Sequence, residues 1–364
     1  MQTIPIMQIT GSSICTYQEI LNRKDRSESQ RESESNLRDV SYNGYMSKKT
    51  KKKVSKFLEV WLWGVQQNLA TIDKRHNNKK LFPTFVTLTL SSKQKHDDNF
   101  IKRNLLNHFI LWLKTEHDVV HYFWRAEPQK NGNIHFHIIC DRYIHWRSIR
   151  DKWNKIQDNF GYIQSYSEKM MNTTLAQYWS KFGKEKKSDF DKIKQYYNVQ
   201  RASNWQDPNS TDIHGIENIV SLADYVIKYM TKTDGARKID GRIWGCSDGL
   251  RELKSFSSAM CQVEYALASK LDNEPKIRFF AGEYFTVFYC KTLQYLYKNS
   301  KMLYYRVKSY YNDCFDYLYS FKNIVNSVSS PVVRIEKLLS EVVNDRLAKE
   351  FKAVDDVIQL EIPF

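Results

Sequence analysis

The stretch Glu127-Pro-Gln-Lys-Asn-Gly-Asn-Ile-His-Phe-His137 decides how this chain folds. His135 and His137 stand two apart, and in a strand such residues point to the same side. Ile134, Phe136 and Ile138 then face the other way, into a core. Residues 119–127 and 133–140 read as two strands, with turn residues around Asn131-Gly132 between them. Two loop geometries fit. A three-residue loop of Lys130, Asn131 and Gly132, with the glycine left-handed, sets Glu127 opposite His135 on the same face. A two-residue Asn-Gly turn sets Glu127 across from Phe136 instead, and the sequence leaves both open. In the first geometry a carboxylate and two imidazoles form a mixed oxygen and nitrogen site suited to Mg²⁺ or Mn²⁺.

Working outward, residues 82–90 read as a strand with Phe85, Thr87 and Thr89 on one face and Val86, Leu88 and Leu90 on the other. Apolar spacing near 3.6 predicts helices over 54–69, 99–115, 146–160 and 218–232. Residues 177–209 are polar and carry no clear pattern. A short strand is expected at 212–216, with His214 an ordinary surface histidine. Helices mixed with an antiparallel hairpin predict the α+β class, a central antiparallel sheet with helices packed on it.

The flanks read differently. Residues 21–39 are rich in Ser, Glu, Arg and Asn, which predicts a disordered N-terminal segment over 1–48. The main domain then covers 49–250. A C-terminal region of unknown role, 251–364, is expected to be mainly helical. Leu303, Val307, Tyr311, Cys314, Leu318 and Phe321 keep helical spacing, as do Ile335, Leu339, Val343, Leu347 and Phe351.

Lys and Arg number 56 against 41 acidic residues, a formal net charge of +15. Such an excess favours a polyanionic partner, because each neutralised phosphate releases counterions. The run Lys48, Lys49, Lys51, Lys52, Lys53 and Lys56 is a solvated face or an arm over a DNA backbone, with Lys51, Lys52 and Lys53 as its contacts. The six cysteines show no CxxC spacing and read as small buried hydrophobes in a reducing compartment. No apolar window is long enough to span a membrane, and no basic leader precedes an apolar core. The expected place is therefore the cytoplasm of a bacterial host cell. No GxxxxGK[ST] occurs, so no P-loop is expected.

Tyr225, Lys228, Tyr229 and Lys232 stand at i, i+3, i+4 and i+7, one stripe of a helix. Ile219, Ala223, Val226, Ile227 and Met230 form its apolar side. A tyrosine that attacks phosphorus leaves an ester that stores the bond energy for rejoining. Its phenol titrates near about 10, so it is a poor nucleophile at neutral pH without help. Neighbouring lysines favour the phenolate and shield the phosphate.

Taken together, Phe85-Val-Thr-Leu-Thr-Leu90, His135-Phe-His137 and Tyr225-Val-Ile-Lys-Tyr-Met-Thr-Lys232 resemble the motifs of the HUH endonuclease superfamily. The doubled tyrosine is similar to the two-tyrosine rolling-circle replication initiators of phages and plasmids. The resemblance covers roughly 83–232 and keeps the family's motif order. It implies that the sheet-and-helix domain is an HUH endonuclease fold. His135 and His137 are then metal ligands with Glu127 as third, and Mg²⁺ or Mn²⁺ is the cofactor. It implies Tyr225 and Tyr229 as nucleophiles, Lys228 or Lys232 assisting them, and Thr87 and Thr89 shaping the site or touching DNA. The substrate implied is single-stranded DNA at a replication origin. Nicking leaves a 5′-phosphotyrosine and a free 3′-OH for a host polymerase, with a host helicase as a further partner. The same motifs serve relaxases and single-strand transposases. A non-catalytic basic DNA-binding protein and a metal-dependent hydrolase without a covalent intermediate are the remaining readings.

Overall fold

The computed structural model describes residues 3–21, 29, 46–67, 81–186, 190–215 and 237–326. The expected tyrosine helix at 218–232 and the apolar run at 335–351 lie outside the described residues, as does most of 21–39. Contacts group the chain into Met1–Asn312 and Asp313–Phe364. The architecture is mixed α+β, as expected, and two five-stranded antiparallel sheets appear among the described residues.

The sheet that carries the histidine pair has five strands. They are β3 (Thr84–Thr89), β4 (Tyr122–Pro128), β5 (Ile134–Cys140), β6 (Thr211–Gly215) and β7 (Trp244–Cys246). Their order is β6-β3-β5-β4-β7, so β5 lies at the centre with neighbours on both sides. Ile134, Phe136 and Ile138 are fully buried on one face of β5, alongside Val86 and Leu88 of β3. Each such side chain contributes about 2 kcal/mol of burial.

Helices cover that face. Asp97 caps α2 (Asp98–Ile101) through a 2.8 Å bond from Phe100 N. The helix widens to a π stretch at Lys102–Leu106 and continues as α3 (Asn107–Glu116). Phe109 meets Trp153 of α4 (Trp146–Asp158) edge-on, and Trp153 Nε1 donates to Thr89 O at 2.7 Å. The helix is thereby tied to the strand.

Three helices follow where the sequence showed no clear period: α5 (Tyr162–Met171), α6 (Leu175–Lys186) and α7 (Phe190–Ala202). Their core is Met170, Tyr197 and Trp205, with Tyr166 and Tyr178 packed on it. Phenols bury their rings while keeping a polar end, so this core does not register as an apolar stripe.

The second sheet corrects two expectations. Residues 3–20 are not disordered; they form β1 (Thr3–Ile9) and β2 (Ser13–Ile20). Residues beyond 250 are not simply helical; they add β8 (Phe256–Ala259), β9 (Arg278–Ala281) and β10 (Phe285–Tyr289). The order β8-β1-β2-β10-β9 interleaves the two ends of the unit. Each strand is short, and its partners lie more than 200 residues away apart from the local hairpins. A boundary at residue 250 therefore does not separate two compact bodies.

Met7, Ile9, Ile14 and Phe288 bury one face of this sheet. Helix α1 (Lys48–Gln66) brings Trp63 against the turn between β1 and β2, where Gly11 leaves no Cβ in the way of the indole. α1 begins earlier than the apolar period indicated, inside the lysine run. Ser47 caps it by accepting from Thr50 N at 3.1 Å. α8 (Gln262–Asp272), α9 (Thr292–Asn299) and α10 (Lys301–Asn326) complete the described elements.

None of the cysteines is in a disulfide. Only Cys140 is fully buried, with its thiol pushed up to about 12 by burial; Cys261 is exposed and the others are half-buried. No helix among the described residues is long and apolar enough to cross a membrane.

Candidate metal centre

Gln129 N donates to Asn133 O at 2.8 Å, and Gly132 N donates to Gln129 O at 2.9 Å. Lys130, Asn131 and Gly132 therefore form a three-residue loop, with Gly132 at φ 85°. That conformation needs glycine or asparagine, which the Asn-Gly pair supplies. The register that follows sets Glu127 opposite His135, the first of the two geometries the sequence allowed.

The three side chains converge. Glu127 Oε2 lies 3.7 Å from His135 Nε2 and 3.5 Å from His137 Nε2. One ligand atom from each lies within 4.8 Å of the others. A shared ion held at about 2.1 Å by each ligand spans separations of 3.5 and 3.7 Å. The donor set of one carboxylate and two imidazoles, on an open sheet face, fits a divalent cation.

The surroundings fix these groups. Arg125, two residues before Glu127 on the same face of β4, places its Nε 3.0 Å from Glu127 Oε1. One carboxylate oxygen thus faces a guanidinium while the other faces the imidazoles. Burial opposes ionisation of Glu127. The imidazoles of His135 and His137 and the charge of Arg125 outweigh it and hold the carboxyl at about 2. Burial lowers the pKa of His137, and the nearby His135 and Arg125 lower it further against the pull of Glu127. A neutral imidazole is the ligating form.

His137 Nδ1 lies 3.1 Å from Thr87 Oγ1. Phe85 stacks on the same ring at a centroid distance of 5.4 Å. With Nδ1–H donated to Thr87, the lone pair of Nε2 points toward Glu127; the tautomer is inferred from this bond. Thr89 stands opposite His135, but its hydroxyl donates to Ser210 O at 2.8 Å. The two threonines thus have different tasks: Thr87 orients a ligand, and Thr89 ties β3 to the chain leading into β6.

A second set of residues, unforeseen from spacing, holds the hairpin turn. Arg237 grips Asp98 with both guanidinium arms at 2.6 Å and donates to Gly132 O at 2.6 Å. Gln94 bridges the same groups, accepting from Ile134 N at 2.7 Å and donating to Asp98 Oδ1 at 2.9 Å. Arg125 was readable from alternation along β4; Asp98 and Arg237 lie 139 positions apart and offered no local signal.

Of the other sequence-predicted residues, Lys51, Lys52 and Lys53 lie in the first turns of α1, with Lys52 and Lys53 exposed. The helix has no acidic residue in its first turn, so these cations stand at its positive end. His214 is in β6, opposite Phe85. Tyr225, Lys228, Tyr229 and Lys232 lie outside the described residues.

No curated protein and no solved structure matches the chain. Residues 83–234, the span from just before β3 to past the Tyr/Lys stripe, match the ORF2-type family model described as replication-associated protein, which makes this segment similar to rolling-circle Rep-type proteins and supports a role in DNA replication.

Proposed function

We propose that this protein starts rolling-circle replication by nicking and rejoining single-stranded DNA at an origin, as HUH endonucleases of the two-tyrosine type do. The observation that carries the reading is the convergence of Glu127, His135 and His137 on one open sheet face within a segment similar to Rep-type proteins. Glu127, His135 and His137 would hold Mg²⁺ or Mn²⁺. When bound, such an ion polarises the scissile phosphate and orients it for in-line attack.

The chain's own groups do the rest. The phenol oxygen of Tyr225 or Tyr229 forms the new P–O bond as the bond to the 3′ oxygen breaks. That oxygen leaves as a 3′-OH after taking up a proton, and the 5′ end stays on the tyrosine. Lys228 and Lys232 favour the phenolate and offset the phosphate charge. The second tyrosine accepts the strand in a later transfer. Lys51, Lys52 and Lys53 contact the DNA backbone, and a host polymerase and helicase then use the 3′ end. Relaxases and single-strand transposases share this chemistry and differ in the strand they act on.

The test is a covalent adduct on a denaturing gel, using the full chain, Mn²⁺ and single strands from the replicon that encodes it. Wild type should give the adduct. The double change Tyr225→Phe with Tyr229→Phe should abolish it. Cleavage that survives that double change would establish a hydrolase instead, and absence of cleavage on every strand of the replicon would remove the nickase reading.

A further inference from the structure

From Lys291 to Asn312 the chain contains five cations and six tyrosines and not one carboxylate. These residues build α9 and the first part of α10. Leu296, Leu303, Val307 and Tyr311 are buried and fasten the two helices to the unit. The opposite side of α10 carries Lys301, Tyr304, Tyr305 and Lys308, at i, i+3, i+4 and i+7. Tyr297 of α9 joins them. Its ring centroid is 5.2 Å from that of Tyr304, and Tyr304 is 5.2 Å from Tyr305. Lys301 Nζ lies 5.9 Å from the Tyr297 ring centre, and Lys308 Nζ lies 5.6 Å from that of Tyr304. Tyr297 and Tyr305 are 53% and 61% exposed, far more than packing alone leaves on an aromatic ring.

We propose that this three-ring surface binds single-stranded DNA without reading its sequence, the phenols stacking on bases and Lys301, Lys308 and Lys298 meeting the phosphates. The inference rests on the reading above only in taking DNA as the substrate. Charge selects the occupant. The carboxylates near the helix pair are Glu264, which is engaged by Arg306 at 2.8 Å, and Glu274, beside Tyr295. Carboxylates resume along α10 at Asp313. The surface is thus cationic, and a second copy of the same face would meet it with like charge. A nucleic acid strand offers the complement to both features, since every base presents a π face and every linkage a negative charge. A duplex hides its bases in the stack, so the rings favour single strands.

The experiment is fluorescence anisotropy of the full chain with a labelled 20-nucleotide oligothymidylate and with a duplex of equal length, in EDTA. Omitting divalent metal separates this binding from the nicking chemistry, which the adduct gel tests on its own. The double change Tyr297→Ser with Tyr305→Ser should lower single-strand affinity at least about tenfold and leave the salt dependence unchanged. Lys301→Gln with Lys308→Gln should lessen the slope of log affinity against log salt by about 1.4, from two lost phosphate contacts. Equal loss on the duplex would show that the rings do not stack on bases. Wild-type binding by both variants would overturn the proposal. So would a tyrosine variant whose sedimentation changes while its DNA affinity does not, because the surface would then join two copies of the chain.

Discussion

Thr87 Oγ1 sits 3.1 Å from Nδ1 of His137, one strand away from the imidazole it orients. The hydroxyl sets which ring nitrogen is left to bind an ion. Replacing it with valine keeps the shape of the strand and removes the bond. Thr87→Val should weaken Mn²⁺ affinity by about tenfold or more, and Thr87→Ser should restore most of it. Titration calorimetry with Mn²⁺ checks this. Equal affinity in all three proteins would mean that His137 is held by packing against Phe85 alone.

His135→Ala and His137→Ala each remove one of three ligands. Either change should abolish adduct formation while oligonucleotide binding in EDTA falls less than about threefold, because the surface cations that dominate affinity remain. Parallel gel and anisotropy measurements separate the two effects. Adduct formation that persists in either variant would dissociate the cluster from the chemistry.

The hairpin turn offers a graded test. Gly132 adopts φ 85°, and a Cβ there would meet nothing within 4 Å. The cost of Gly132→Ala is therefore backbone strain alone, about 1–2 kcal/mol. Gly132→Asn should cost less, since asparagine tolerates the left-handed region. Urea unfolding measures both. A larger loss for alanine than for valine at the same site would contradict the strain argument.

Asp98 and Arg237 should make stability depend on acid. Burial opposes the Asp98 charge, but bonds from Arg237, Gln94 and Asp240 N–H hold its carboxyl below the ordinary value. A carboxyl depressed in the folded state stabilises the protein above its unfolded value, about 3.9. That contribution fades as pH falls through the folded value. Asp98→Asn should cost about 2 kcal/mol at pH 7, less than for a fully buried pair because Arg237 keeps 31% exposure. The gap between variant and wild type should narrow below pH 4. A gap that widens in acid would reverse the sign assigned here.

Much of the site was legible because its signals are local. Strand alternation brought His135 and His137 to one face, and the glycine of the loop selected the register that adds Glu127. The central sheet followed from strands whose partners lie nearby. The second sheet was not legible, because β1 and β2 find their outer partners in β8 and β10, across most of the unit. The helices α5 to α7 escaped notice because tyrosine and tryptophan, not aliphatic residues, fill their core. The grip of Arg237 on Asp98 joins two loops that no repeat or motif links.

That second sheet has a consequence for how the chain is made. Strands β1 and β2 leave the ribosome first, yet the edges flanking them are closed by residues 256–259 and 285–289. At ordinary rates of synthesis the early hairpin waits on the order of tens of seconds with both edges bare. Bare edges pair readily with other chains. A fragment ending near residue 250 would keep the nascent state permanently, so excising the Rep-like segment for study should yield an insoluble product unless residues 3–20 are removed with the rest.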